Sequence, residues 1–330
     1  MVTGIIFCVV GLIILAYVSD KFVEAAGSIA KYYRISPVII GAVIVGFGTS
    51  APEMAVSGIA AANGDSDLGI GNIIGSNVAN VTLVLGAAAL FAPVPIRRAL
   101  LKRELIISVG AVGLFALLVQ DGLHLLDGII LLGVLAGLLA GLFGTEWDKL
   151  FRRGQQRDAG SPDGDMPDVD MPDAPASASR GSLPRRDIFW LIIGLVGTIG
   201  SAQLLVEGAQ RLAEALDLGS GFVGLTLVAA GTSLPELVTA AAASRRGMNE
   251  LIIGNILGSN IFNSLAVGGL VGVIGATDLQ DAKLAGAATV VMVICILVMA
   301  VFVFTRGRVS RIEGAFLLAA WFVALPFTLP

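Results

Sequence analysis

The chain has 330 residues, of which 56% are hydrophobic and 14% charged, with a mean hydropathy of +0.89 and a net charge of −4. A soluble fold of this size needs about a quarter of its residues charged to cover its surface, which excludes one large or two ordinary soluble domains. The small negative charge mixes basic loop edges with an acidic central stretch and implies no partner by itself, and no basic patch with interleaved aromatics suggests nucleic acid.

The apolar residues fall in runs such as 4–17, 129–143 and 285–304, which approach or reach the ~20 residues that cross a bilayer core. Taken in chain order they predict ten spans: 4–32, 36–62, 66–91, 98–119, 123–143, 187–216, 219–245, 249–273, 281–304 and 310–328. The first lacks a basic start and continues past Asp20, Lys21 and Glu24, which reads as a retained helix and not as a removable signal. Cys8 and Cys295 lie inside apolar helices and read as packing residues. His124, the only histidine, sits beside Asp121 and Asp127 in a loop and reads as a solvated residue.

Between the fifth and sixth spans, 145–186 is rich in Asp, Pro, Gly and Ser and cannot bury enough apolar surface to fold. It reads as a disordered, acidic linker, too short at about 42 residues for a regulatory domain; weak calcium sensing by its aspartates is the alternative. The chain therefore divides into a first unit at 1–144, the linker at 145–186 and a second unit at 187–330.

Basic residues set the orientation. Lys31, Arg34, Arg97, Arg98, Lys102, Arg103, the seven between Lys149 and Arg186, Arg245, Arg246, Arg306, Arg308 and Arg311 all fall on one side of the ten-span layout, 18 of the 21 in the chain. Arg211 and Lys283 fall on the other, and Lys21 within the first span. By the positive-inside rule the linker side is cytoplasmic and both termini face out, as in a multi-pass protein of the cell membrane.

An offset of 183 residues aligns the two halves without a gap from Val23 to Gly86. It brings Gly48-Thr-Ser-Ala-Pro-Glu53 onto Gly231-Thr-Ser-Leu-Pro-Glu236. It also brings Gly71-Asn-Ile-Ile-Gly-Ser-Asn77 onto Gly254-Asn-Ile-Leu-Gly-Ser-Asn260, and Asn80 onto Asn263. Five spans per half is an odd number, so the second copy must cross the membrane upside down. The expected fold is all-α, ten transmembrane helices as two inverted five-helix repeats, with the second and seventh helices discontinuous at the Pro-Glu motifs. Such architecture marks secondary transporters with a site near the midplane.

Glu53 and Glu236 carry the chemistry. A carboxylate at membrane depth costs at least ~2.5–3.5 kcal/mol and points to function. No basic residue sits at comparable depth in the sequence, so a bound cation or a proton must compensate; a structural hydrogen bond to a neighbouring helix is the plainer reading. Thr49 and Ser50 precede Glu53 by four and three residues and share its helix face, as Thr232 and Ser233 do for Glu236. Pro52 and Pro235 cannot donate to the carbonyls of Gly48 and Gly231, which bares more oxygen. Such freed groups are tolerated at membrane depth only where they line a cavity or hold an ion. Carboxylates, hydroxyls and carbonyls are the ligands that calcium and sodium require. Asn72, Ser76 and Asn80 form one stripe and Asn255, Ser259 and Asn263 another; these, with Asn77 and Asn260, can complete a cation shell or bond helix to helix. Glu24 and Glu207 match across the repeat near span ends, where snorkelling, packing or ion access are all open.

The two pairs of motifs resemble the alpha repeats of the sodium/calcium exchanger family, prokaryotic type, within the calcium/cation antiporter superfamily, over 36–90 and 219–273. The resemblance implies a central cluster of four cation sites. Its ligands would be Glu53, Glu236, Thr49, Ser50, Thr232, Ser233, Ser76, Ser259, Asn80 and Asn263, with main-chain oxygens near Gly46 and Ala229. It implies an antiporter and not an enzyme, exchanging three Na+ for one Ca2+ with no cofactor and no obligate protein partner beyond the bilayer. Several members of that family carry Asp where this chain has Asn263, and in the potassium-dependent branch that Asp is associated with potassium; Asn here argues for potassium independence. The proton-coupled branch usually shows Gly-Asn-Ala-x-Glu in place of Gly-Thr-Ser-x-Pro-Glu, which disfavours calcium/proton exchange. That exchange, or antiport of another cation, remains the alternative.

Overall fold

The computed structural model describes residues 1–32, 50–95, 98–158, 185–245, 249–275 and 278–324. Helix α1 spans Val2–Tyr32, α2 Ala51–Ala62, and α3 Ser66–Phe91 with a π turn at Asn80–Val84. A two-residue strand β1, Val94–Pro95, leads into α4, Arg98–Leu118, and α5, Leu125–Asp158. The second half opens with α6, Arg185–Leu216. Helix α7 covers 220–232 with a π turn at Gly224–Val228, and α8 is Leu234–Arg245. Helix α9 covers 249–274 with a π turn at Asn263–Val267. Helix α10 covers 284–306, followed by β2, Arg308–Val309, and α11, Arg311–Ala324.

The repeat is visible in the backbone. Ala51–Ala62 recurs as Leu234–Arg245, Ser66–Ala79 as Asn249–Phe262, Asn80–Val84 as Asn263–Val267, and Leu85–Phe91 as Gly268–Ile274. Every boundary is displaced by the same 183 residues. The first part of the predicted second span, through Thr49, lies outside the described residues.

Two differences from the sequence reading have local causes. Helix α5 continues to Asp158, so the segment from 145 to 158 is helical and not part of an unfolded linker. Composition averaged over 145–186 hid this, because the first proline after Leu125 is Pro162 and nothing before it breaks a helix. The remainder of the linker, 159–184, lies outside the described residues. The π turns are the second difference, since widening a helix by one residue leaves no compositional mark.

Five described helical stretches are long and apolar enough to cross a membrane, and this is an all-α membrane protein: Ser66–Phe91, Arg103–Asp121, Arg185–Leu216, Ile252–Ile274 and Leu284–Val301. Burial sorts them. The spans of α3 and α9 are 83% and 78% buried in the protein, the other three 28–39%. Helices α3 and α9 therefore form the centre, and the others turn apolar faces such as Leu117, Ile192, Val196 and Val290 outward. Hydroxyls along these helices, including Thr82, Thr198 and Thr226, donate to carbonyls four residues back, which satisfies them without water.

Connections gather at two opposite ends of α3. Beyond its last turn, β1 pairs antiparallel with β2 (Val94 with Val309), Arg311 Nη2 donates to Phe91 O at 3.2 Å, and Ser244 Oγ donates to Ala88 O at 3.5 Å. At its start, Asp67 accepts from the backbone N–H groups of Gln280 and Asp281 at 3.1 and 2.7 Å, and Ser66 Oγ donates to Gly275 O at 2.9 Å. Asp65 there caps α3 at Leu68 N and accepts from Ser220 Oγ and Gln210 Nε2.

The centre depends on close approach of α3 and α7. A Cβ on Gly75 would fall 2.1 Å from the Leu225 carbonyl oxygen, and one on Gly71 2.2 Å from that of Gly221. Small residues are what allow such contact between membrane helices. Gly75→Ala should therefore force α7 off α3 and cost roughly 1–3 kcal/mol, seen as a lower thermal midpoint in detergent. Gly110→Ala, at an exposed glycine with nothing within 4 Å of its Cβ position, should leave the midpoint unchanged.

Candidate cation site

The local backbone at Ser50 and Ser233 places the carboxylates. Ser50 (φ −91°, ψ 6°) precedes α2, and Ser233 (φ −83°, ψ 6°) separates α7 from α8. Both have bridge-region dihedrals; the first starts α2 and the second divides α7 from α8. Pro52 and Pro235 follow in the opening residues of α2 and α8, where a missing N–H costs no hydrogen bond. Glu53 and Glu236 thereby stand in the first turn of their helices, where the positive end of the dipole favours an anion. A Pro-Glu pair after a break thus supplies both the gap and the charge.

The residues around them are buried. Glu53, Glu236, Ser50, Ser76, Ser259, Asn80 and Asn263 are 0% exposed, Thr232 1% and Ser233 3%. Ser233 Oγ donates to Glu53 Oε1 at 3.5 Å, joining the break of the second half to the carboxylate of the first. Thr232 Oγ1 lies 3.5 Å from Ser76 Oγ and donates to Asn72 Oδ1 at 3.2 Å or to Ala229 O at 3.3 Å. Asn80 Nδ2 donates to Asn260 Oδ1 at 3.0 Å across α3 and α9. Thr49 and Gly46 lie outside the described residues.

Several oxygens in this cluster have no hydrogen-bond partner among the described residues: Glu53 Oε2, Ser50 Oγ, Asn80 Oδ1 and Asn263 Oδ1. A buried carboxylate oxygen left open costs several kcal/mol unless something positive meets it. The donor set is carboxylate, hydroxyl and amide oxygen, which suits a hard cation such as Na+ or Ca2+.

Geometry bears on two points that sequence reasoning left open, Asn77 and the pair Glu24 and Glu207, and on His124, read as a solvated residue. Asn77 bonds helix to helix, donating to Ser264 Oγ at 3.1 Å and to Met292 Sδ at 3.4 Å. Glu24 pairs with Lys21 and Glu207 with Arg211, each at 2.6 Å within its own helix. His124 is half exposed and contacts Asp278 at 3.2 Å and Asp127 at 3.5 Å, as a surface loop residue. One buried residue was missed altogether: Ser57, which accepts from Asn72 Nδ2 at 2.9 Å and donates to Gly69 O at 3.1 Å. It lies one turn after Glu53 on the same helix face, the one signal that could have found it.

The family described as sodium/calcium exchanger protein matches residues 3–144 and 187–329. CaxA of Alkalimonas amylolytica is 37% identical over 326 residues, 97% of each chain. The sodium/calcium exchanger MaX1 of Methanosarcina acetivorans is 32% identical over 328 residues, 93% of each. Among solved structures, the sodium-calcium exchanger NCX_Mj soaked with Na+ and Ca2+ superposes with a TM-score of 0.61 at 30% identity, over 98% of this chain and 97% of that one.

The bond between Asn80 and Asn260 is the tie between the two central helices that flanks the open oxygens. Asn260→Leu should leave the buried Asn80 amide without its acceptor and lower stability by about 1–3 kcal/mol, measured as the thermal midpoint of the purified protein.

Proposed function

The chain belongs to the sodium/calcium exchanger family, and from that premise we propose that this cation antiporter exchanges Na+ for Ca2+ at the cluster around Glu53 and Glu236. The single observation that carries the proposal is Glu53, a carboxylate with no exposure, one oxygen bonded to the opposite half and the other open. Ser50, Thr232, Ser233, Ser76, Ser259, Asn80 and Asn263, with Thr49 and the main-chain oxygens near Gly46 and Ala229, complete the ligand set.

Alternating access follows from the architecture we infer: ten spans, the units 1–144 and 187–330 inverted relative to each other, and the site held between them. The common 183-residue displacement of helices and π turns supports it. So does the gathering of loops at two ends of α3, with Arg308 and Arg311 at the end assigned to the cytoplasm. The termini then face outward and 145–186 faces the cytoplasm of a cell membrane.

Charge counting gives the stoichiometry its physical content. With Glu53 and Glu236 ionised and Asn80 and Asn263 neutral, the site carries about −2, and one Ca2+ neutralises it for passage through an occluded state. Three Na+ leave it at +1, spread over hydroxyl and carbonyl oxygens. Moving that one net charge is worth ~2.3 kcal/mol per 100 mV, so a negative interior favours sodium influx and calcium export.

In proteoliposomes, an outward sodium gradient should drive Ca2+ uptake, and Glu53→Gln or Glu236→Gln should abolish it while the protein remains folded. Near-normal uptake in either variant would remove the central site, and uptake driven by a pH gradient alone would identify a proton-coupled carrier. Exchange should also generate a current that responds to clamped membrane potential. Current-free, voltage-insensitive exchange would establish two Na+ per Ca2+ instead of three.

A further inference from the structure

Ser57 belongs to none of the motifs that the two halves share. It is 0% exposed on α2, and its Oγ donates to the Gly69 carbonyl at 3.1 Å. A carbonyl can only accept, so the serine proton is committed there and its lone pairs receive Asn72 Nδ2 at 2.9 Å. With the amide nitrogen held on that side, Asn72 presents Oδ1 to Thr232, whose Oγ1 lies 3.2 Å away and donates to it or, at 3.3 Å, to the Ala229 carbonyl. The threonine lone pairs are thereby left facing Ser76 and the cation cluster.

We propose that Ser57, acting through Asn72, is a positioning residue that sets the hydrogen-bond polarity of the cation site. With the relay in place, Thr232 is an electron-pair donor to a cation. With the Asn72 amide reversed, N–H groups would occupy a threonine lone pair and set positive charge against the incoming ion. The inference rests on Thr232 being a cation ligand, as proposed above.

A second observation concerns the other half. The 183-residue offset carries Asn72 onto Asn255, but it carries Ser57 onto Ala240 and Gly69 onto Ile252. Glycine at 69 is part of the device, because a Cβ there would sit 3.0 Å from the Ser57 carbonyl oxygen. The hydroxyl and the small residue that admits it are replaced together, so the Ser57–Gly69 pair occurs once in the two aligned halves. Thr232 is held in a fixed donor–acceptor sense by Ser57 and Gly69; Thr49, its counterpart, has neither at the matching positions.

The test is a double-mutant cycle on calcium Kd, measured on the full chain purified in detergent. Ser57→Ala should weaken Kd about three- to ten-fold, the worth of one buried hydrogen bond, and Ser57→Thr should restore it. In a Thr232→Ala background, Ser57→Ala should have no further effect. If the alanine variant does not fold, Ser57→Cys, which keeps the volume and weakens the donor, should give the same weakening. An unchanged Kd, or a loss that simply adds to that of Thr232→Ala, overturns the relay and leaves the cation site standing. An unchanged Kd in Thr232→Ala alone overturns the site reading on which the relay depends.

Discussion

Glu53 and Glu236 are acidic side chains with no exposure in a protein whose outer helices turn apolar faces outward. Holding a carboxylate there requires something to replace water, and the sequence places no lysine, arginine or histidine at that depth. The replacement is built from backbone and neutral oxygen. Each glutamate stands in the first turn of a helix that starts just after a serine, and the Ser233 hydroxyl of the opposite half bonds Glu53. The central helices α3 and α9 then bring amides to the same region, and glycines at 71 and 75 let α7 lie against α3 closely enough for Thr232 to reach Asn72 and Ser76. Each of these features is costly alone and supported by the others.

The two ends of the molecule are tied differently. At the start of α3, aspartates 65 and 67 are consumed as acceptors for neighbouring backbone and side-chain donors. At its far end the tie is a two-residue strand pair and single bonds to terminal carbonyls. Among the described residues outside the cluster, Asp65 and Asp67 join loops and Glu24 pairs with Lys21, whereas Glu53 in the cluster keeps an open oxygen with no exposure.

Much of this was legible in the sequence because the information is written twice. A Pro-Glu pair after Gly-Thr-Ser appears in both halves, and both times a helix starts directly after the serine before it. The edges of α3 and α4 were read from hydropathy within a residue. The failures share a cause. A search for repeats keeps what is identical and so passes over Ser57, opposite which Ala240 stands. Averaged composition concealed the last turns of α5, where no proline intervenes before Pro162. Asn72 was seen, but its role depends on which way its amide faces, and spacing carries no information about that.

The π turns at Asn80–Val84 and Asn263–Val267 bear on the history of the chain. A π turn is a helix that has taken in one extra residue, and it rotates everything beyond it by about 100° relative to an uninterrupted α-helix. Two independent insertions would have had to strike the same place in two separate helices, immediately after the same motif. A single insertion in an ancestral half-length chain, later doubled by gene duplication, accounts for both. The loss of serine and glycine at Ala240 and Ile252, or their gain at Ser57 and Gly69, then came after the halves were joined, when each copy was free to diverge.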